Sequence, residues 1–213
     1  TEPGVIFSVA AGNEGDLPIH TGGFVDEGVT VEFPIIPQNL CELMEEVSDI
    51  CDMPDAFLTG IDMWYSDNAV DSVYLVAYDL MSIVAFNEIK ISAIHAFPLD
   101  TSIGNFTFIS DDGLPLAYIN YISESSLYQD NGTGNLAFYI HNAGDPSIVI
   151  NNYIWSVAIK TKNKGSIDAW AGIPMLAQMP FTGLLGQTTF VGDTKMLVGS
   201  PADADSAISV GSF

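Results

Sequence analysis

One asparagine near the start of the chain stands where a polar side chain could do chemistry. The apolar run Val5–Ala10 is bounded by glycine, which is typical of a buried strand. Asn13 follows it, between Gly12 and Gly15. Open α/β sheets bind ligands beyond the carboxyl ends of their strands, and a side-chain amide is a neutral N–H donor. The alternative is that these residues only form a turn after the strand.

The histidines and serines form no recognisable catalytic arrangement. His95 lies in an alternating segment, which predicts an ordinary strand residue, and His141 is expected to make a turn contact at a strand end. His20 follows the Asn13 segment and could line the rim of a cleft. No serine sits in a Gly-x-Ser-x-Gly turn, so a separate hydrolase site is not predicted.

No metal site is predicted. The pairs Asp111-Asp112 and Asp130-Asn131 carry oxygens of the kind that calcium accepts. Neither pair belongs to a loop with calcium-ligand spacing, and tight turns explain both. Calcium therefore remains an alternative without a supporting motif. Zinc is not favoured, because the three histidines are scattered and the two cysteines lie on a predicted helix.

The elements that must position these residues are mostly β-strands. Short runs rich in Val, Ile, Tyr, Phe and Trp alternate with turns that contain Asp-Gly or Asn-Gly, which predicts an antiparallel sandwich or barrel. A further strand is predicted over Asp26–Phe33 and ended by Pro34, after a loop over Asp16–Gly23. The main predicted strands are Phe57–Tyr65, Ser72–Tyr78, Glu88–Phe97, Asn105–Ile109, Pro115–Ile122, Leu136–His141 and Tyr153–Lys160, with short ones at Thr188–Phe190 and Met196–Val198.

One helix is predicted, over Leu40–Cys51. Apolar residues recur there at helical spacing opposite acidic ones, Asn39 is a suitable N-cap, and Pro54 follows the end. Cys41 and Cys51 would then lie about 15 Å apart along the helix axis, which exceeds the reach of a disulfide of roughly 7 Å between Cα atoms. We therefore favour free thiols, with a disulfide as the alternative.

Both ends of the chain resemble subtilisin-like serine proteases (subtilases). Val5–Ala10 with the following Ala-Gly-Asn-Glu-Gly resembles their oxyanion-hole strand and loop. Ser200-Pro201-Ala202 followed by Ala207–Phe213 resembles the Pro-Ala turn and the next core strand. The resemblance implies that Val5–Ala11 and Ala207–Phe213 are parallel neighbours in one sheet, and that the chain is a piece cut from a longer protease.

The middle of the chain resembles an insertion found in some bacterial subtilases. Tyr153–Lys160, a turn, and the strand Ser166–Ala171 with its Asp-Ala-Trp follow the order of the closing strands of a jelly-roll insertion in the clostridial germination-protease group. The implied fold class is mainly β: an antiparallel β-sandwich with one helix, flanked by two strands of a subtilisin-type α/β core. The implied domains are 1–18 (core strand and oxyanion loop), 19–172 (inserted sandwich) and 173–213 (return segment and second core strand).

The resemblance also implies a division of catalytic roles. Asn13 would donate its amide to the oxyanion of the tetrahedral intermediate, Gly12 and Gly15 would let backbone and substrate approach, and Glu14 and His20 would line the rim. The family's Asp-Thr-Gly, His-Gly-Thr and Gly-Thr-Ser motifs are absent from this chain. We therefore expect that it does not cleave peptides alone and acts with the remainder of a protease domain on a peptide or protein substrate, without a cofactor.

The composition argues against some classes of binding partner. Five lysines, no arginine and 27 acidic residues give a formal net charge of −22, which argues against nucleic acid and anionic lipid. No apolar stretch approaches the roughly 20 residues of a membrane helix, so membrane insertion is not expected. A secreted or cell-surface location in a bacterium fits this acidity. Self-association through exposed core strands is also expected of such a fragment.

A second hypothesis belongs to a different functional class. The chain could be a stand-alone extracellular β-sandwich that binds carbohydrate or protein, because exposed aromatic rings on sandwiches bind sugars. Aromatic residues are also favoured in strands and fill sandwich cores, so their number alone does not decide the matter.

Overall fold

The structure is a computed structural model that describes parts of the chain. The described residues are 7–10, 20–35, 57–66, 68–124, 133–143, 152–171, 184–186, 188–192 and 207–210. The predicted helix over Leu40–Cys51, with both cysteines, lies outside these ranges, and so does the predicted strand Met196–Val198. Those predictions remain predictions.

The described chain forms thirteen strands and one short helix. The strands are β1 Phe7–Ala10, β2 His20–Val25, β3 Thr30–Ile35, β4 Phe57–Ser66, β5 Val70–Asp79, β6 Ile91–Phe97, β7 Ser102–Ile109, β8 Pro115–Glu124, β9 Thr133–Asn142, β10 Tyr153–Thr161, β11 Gly165–Ala171, β12 Thr188–Thr189 and β13 Ala207–Val210. The helix, α1, spans Leu80–Phe86 and follows β5 directly.

Eleven of these strands form two sheets that pack face to face. One sheet has the order β12-β3-β10-β5-β6 and the other the order β2-β11-β4-β9-β8-β7. Within both sheets the pairings are antiparallel, apart from the short parallel pair of β12 with β3. The predicted fold class, a mainly β protein built on an antiparallel sandwich, is confirmed.

Apolar side chains at alternating strand positions form the core between the sheets. In β10, Trp155, Val157 and Ile159 point inward and are fully buried. Phe97 of β6 lies 4.8 Å from Phe138 of β9, measured between ring centroids, so this stacked pair joins the two sheets. Burial of such large apolar side chains stabilises the fold by roughly 1.5–3 kcal/mol each.

One side of the sandwich is closed by an aromatic contact between its two edge strands. His95 of β6 stacks on Phe106 of β7, with 3.5 Å between ring centroids and 17° between the ring planes. Phe97 meets Phe106 edge-on, 5.8 Å away. His95 is therefore a packed strand residue, as its alternating segment predicted.

The segment before the first sandwich strand differs from its sequence prediction. His20–Gly23 was predicted as loop because of its glycines, yet it forms the first part of β2 and pairs with β11. Glycine is required at position 22, because a Cβ there would lie 2.3 Å from the carbonyl oxygen of Ile167 and 2.8 Å from Asp168 Cα. The glycine marks a close strand–strand approach here rather than a loop.

The proline expected to end the next strand also lies inside it. β3 begins at Thr30, later than predicted, and continues through Pro34 to Ile35. Its partner β12 pairs only with Val31 and Glu32, so β3 is an edge strand at position 34. An edge position tolerates a residue that lacks a backbone N–H.

Helix α1 was not predicted from the sequence. Asp79 caps it, since its carboxylate accepts hydrogen bonds from the backbone N–H groups of Met81 and Ser82 at 2.8 Å and 3.2 Å. Asn87 ends it in the left-handed region, with φ 53°. The two caps enclose only seven residues, which is too short for a helical repeat to be visible in the sequence.

Candidate functional site

The first and last described strands lie side by side. β1 and β13 form a two-stranded parallel sheet, in which Phe7 is paired with Ala207 and Ala10 with Val210. The resemblance of the two chain ends to subtilases implied that these strands are neighbours and run parallel, and both expectations are confirmed. Between the two strands, the chain builds the entire sandwich.

The segment that follows β1 carries the residues with predicted chemical roles. Asn13, Gly12, Glu14 and Gly15 lie outside the described residues. Their predicted roles, the oxyanion donor above all, therefore remain predictions. The structure does fix the strand that leads into them, since β1 ends at Ala10.

His20 is the one predicted site residue whose surroundings are described. It opens β2 and is almost fully buried. Its Nε2 lies 3.3 Å from Asp168 Oδ1, and its ring packs against Trp170, with 5.0 Å between ring centroids. Both partners belong to the adjacent strand β11, so His20 is held within the edge of the six-stranded sheet. Its predicted place at a cleft rim is untested.

At one corner of the sandwich, the chain that enters it at β2 (the incoming chain) contacts the chain that leaves it after β12 (the outgoing chain). Thr21, in the first sandwich strand, donates its hydroxyl to the backbone oxygen of Val191, which follows the last sandwich strand, at 2.9 Å. β12 pairs with β3 in the five-stranded sheet, whereas Thr21 belongs to the edge of the six-stranded sheet. The return segment thus bridges the open edges of the two sheets.

The return segment is also held by a buried glutamate. Glu32 Oε1 accepts a hydrogen bond from the Tyr78 hydroxyl at 2.7 Å, and Oε2 accepts one from the backbone N–H of Gly186 at 2.8 Å. Glu32 and Tyr78 are fully buried on the outer face of the five-stranded sheet. Burial and the neighbouring carboxyl of Glu32 raise the pKa of Tyr78 far above its ordinary value, so its hydroxyl keeps its proton.

A surface depression lies elsewhere among the described residues, beside α1. It has a volume of about 400 Å³ and is lined by Asp79, Met81, Lys90, Ser92, Asp111, Asp112, Asn152 and Tyr153. Lys90 Nζ lies 2.8 Å from Asp111 Oδ2; the hydrogen bond from Lys90 lowers the pKa of Asp111, and that carboxylate raises the pKa of Lys90. Sequence reasoning missed this depression, because its lining residues come from segments far apart in the chain.

The remaining predicted candidates make contacts within the sandwich. Asn120 Nδ2 and His141 Nε2 lie 3.0 Å apart on neighbouring strands. Asp111 and Asp112 belong to the turn after β7, while Asp130 and Asn131 lie outside the described residues. Within the described ranges, no three His, Cys, Asp or Glu side chains gather as a metal site would require. In the same ranges, no helix has the length and hydropathy of a membrane crossing.

Comparison with known proteins gives a likeness in fold alone. No protein-family model and no curated protein matches the chain. Among solved structures, the CspB protease of Clostridium perfringens is similar, with a TM-score of 0.56 and 17% sequence identity. The likeness covers 98% of this chain, but the chain spans only 34% of that protease. The chain therefore shares its fold with about a third of a clostridial protease, and the likeness takes in the sandwich together with its flanking segments.

Proposed function

We propose that the chain is part of a subtilisin-like serine endopeptidase. It supplies a core strand with the oxyanion donor Asn13, an inserted accessory sandwich and a second core strand. The observation that carries this proposal is the parallel pairing of Phe7–Ala10 with Ala207–Val210, while the described chain between them forms the two-sheet sandwich.

Physical chemistry explains why the parallel pair needs more protein around it. Parallel strands require a crossover connection, and parallel sheets are found almost only where both faces are covered. A two-stranded sheet by itself is at most marginally stable in water. β1 and β13 thus fit the interior of a larger parallel sheet, whose other strands the remainder of a protease domain would provide.

The proposed roles follow the resemblance seen in the sequence. Asn13 stabilises the oxyanion, Gly12 and Gly15 allow close approach, and Glu14 and His20 lie towards the substrate. The Asp, His and Ser of the triad come from outside residues 1–213, so this part alone is inactive. The substrate is a peptide or protein, and the enzyme works outside a bacterial cell or at its surface.

The proposed domains place the sandwich beside the catalytic centre. Residues 1–18 carry the oxyanion loop, 19–172 the insertion and 173–213 the return. The insertion directly follows the loop, so it would shape substrate access or stabilise the protease. Deleting it from the full-length enzyme should change activity, substrate range or thermal stability; if all three stay the same, this role is wrong.

Substitution of the oxyanion donor tests the core of the proposal. In the full-length protein, Asn13→Ala should lower kcat for peptide hydrolysis by roughly 10²- to 10³-fold, the effect of losing this donor in subtilisin, with KM little changed. Asn105→Ala, at an exposed position of β7, is the matched control and should keep wild-type kcat. Peptidase activity that does not depend on Asn13, or no peptidase activity at all, would contradict the proposal.

One observation favours the second candidate function, a binding module. Tyr118 and Tyr139 are about half exposed on the outer face of the six-stranded sheet, close to Asn120. Rings and amides on a flat face are suited to sugar rings. Glycan binding lost in both Tyr118→Ala and Tyr139→Ala, in a full-length protein without peptidase activity, would favour this candidate over the protease.

A further inference from the structure

The outgoing chain crosses the outer face of the five-stranded sheet at one buried carboxyl group. Glu32 lies in β3 opposite Ala158 of the central strand β10, and its side chain points away from the sandwich core. Its two oxygens bind two different elements: Tyr78 of β5 and the backbone of Gly186 in the return segment. Removing one donor would leave a buried acceptor without its bond, which is costly.

We propose that Glu32 is a positioning residue. It fixes residues 184–192 of the return segment on the sandwich, and so helps to place β13 beside β1. The proposal rests on the proposed function, because it assumes that this strand pair belongs to a protease core. It names the element that couples the accessory sandwich to the oxyanion strand. Glu32 does not touch substrate and takes no part in the chemistry.

Close packing makes the contact specific to a glycine. A Cβ on Gly186 would lie 2.6 Å from Glu32 Cβ and 2.7 Å from Oε2, which is closer than real Cβ atoms approach. The segment therefore lies directly on the glutamate side chain, with no space between them. The Tyr78 hydroxyl oxygen also accepts hydrogen bonds from the backbone of Leu184 and Leu185, which lower the pKa of Tyr78 and so oppose its rise. Three consecutive residues of the segment thus meet the Glu32–Tyr78 pair.

The contact continues along the segment to the other sheet. The Phe190 backbone N–H donates to the backbone oxygen of Glu32 at 3.0 Å, and the Phe190 ring packs against the main core. Val191 then accepts the hydrogen bond from Thr21 of β2. Thr21 is the second residue of β2, so the incoming and outgoing chains are held at the same corner of the sandwich. A segment fixed there restrains where both connections to the strand pair start.

Hydrogen–deuterium exchange on the full-length protein tests the proposal without reference to activity. Glu32→Gln keeps the shape but replaces one acceptor with an NH₂ group, and Tyr78→Phe removes one hydroxyl. Each should raise exchange of the amides in 184–192 about tenfold, the effect of losing one buried hydrogen bond. Exchange in β1 and β13 should rise with it, while the central strand β10 stays protected.

Two further variants complete the experiment. Gly186→Ala should open the same segment by steric clash, without any change to Glu32 or Tyr78. Lys160→Gln is the matched control, because Lys160 lies on the same sheet face but is exposed, with a 3.7 Å ion pair to Asp71. This variant should leave amide exchange unchanged in residues 184–192 and in strands β1, β10 and β13. If Glu32→Gln fails to fold, Tyr78→Phe carries the test alone.

The outcomes separate this proposal from the proposed function. Faster exchange in 184–192 and in both terminal strands supports the positioning role. Three results would overturn it: faster exchange that is limited to 184–192, an even rise in exchange over the whole chain, or no change in exchange. None of these results depends on peptidase activity, whereas the Asn13→Ala experiment does not depend on Glu32, so each proposal can fail alone.

Discussion

Phe7 lies directly opposite Ala207, so that strands from the two ends of the chain form one parallel pair. Contacts between such distant residues are slow to form, because a very long loop must close first. The sandwich has its own core and its own antiparallel pairing, and we expect it to fold without this pair. The strand pair would then be completed last.

A pair of fragments tests the independence of the sandwich and the place where it ends. The fragment 19–192 should fold cooperatively by thermal and denaturant unfolding. The fragment 19–172 lacks β12, Gly186 and Phe190, and should be less stable by about 2–4 kcal/mol, from lost apolar burial and lost hydrogen bonds. Equal stability of the two fragments would show that the return segment contributes nothing to the sandwich.

Much of this fold could be predicted, because alternation of apolar and polar residues is a local signal. The strand predicted over Tyr153–Lys160 is β10, extended by one residue, and Phe57–Tyr65 is β4, also extended by one. The short strand predicted at Thr188–Phe190 corresponds to β12. In β4 and β10, the alternation along one segment decides which side chains face the core.

The elements that sequence reasoning missed depend on distant contacts. The glycines in β2 indicated a loop, because the close approach of Gly22 to Ile167 and Asp168 depends on a strand more than a hundred residues away. Pro34 indicated a strand end because the shortness of the partner strand β12 is not visible locally. The Glu32–Tyr78–Gly186 contact had no sequence signal for the same reason: three segments supply it.

Two tyrosine rings cover glycines directly opposite them in the six-stranded sheet. Tyr65 faces Gly134, and Tyr121 faces Gly104. A Cβ at Gly134 would lie 2.5 Å from Tyr65 Cε2, so Gly134→Ala should destabilise the protein by about 1–3 kcal/mol through overpacking. Urea unfolding measures the loss. In the double variant with Tyr65→Leu the alanine should cost much less, and strict additivity would contradict the contact.

The cap of α1 gives a second stability test. Asp79→Ala removes the acceptor for the N–H groups of Met81 and Ser82, and should destabilise by roughly 0.5–2 kcal/mol. Asp79→Asn keeps a good N-cap oxygen and is the control, with a much smaller loss expected. Thermal unfolding compares the two. An equal loss in both variants would show that charge, rather than the cap bond, is what matters at this position.

The stacked pair of His95 and Phe106 makes stability depend on pH in a defined direction. Burial lowers the pKa of His95 in the folded protein, whereas an unfolded histidine titrates near pH 6.5. Below about pH 6.5 the unfolded chain therefore binds more protons at this site, and the free energy of unfolding falls as the pH falls. The decline from this residue ends once the pH is below the folded pKa.

His95→Phe removes this titration and keeps a ring stacked on Phe106. Its free energy of unfolding should fall less steeply than that of the wild type as the pH is lowered from 7 to 5, when both are measured by urea unfolding. Carboxylates titrate in both proteins, so the difference between the two curves isolates His95. His95→Gln should show the same shallower slope with a lower stability throughout, because it loses the stack. Parallel curves for wild type and His95→Phe would mean that burial of this ring does not restrict its protonation.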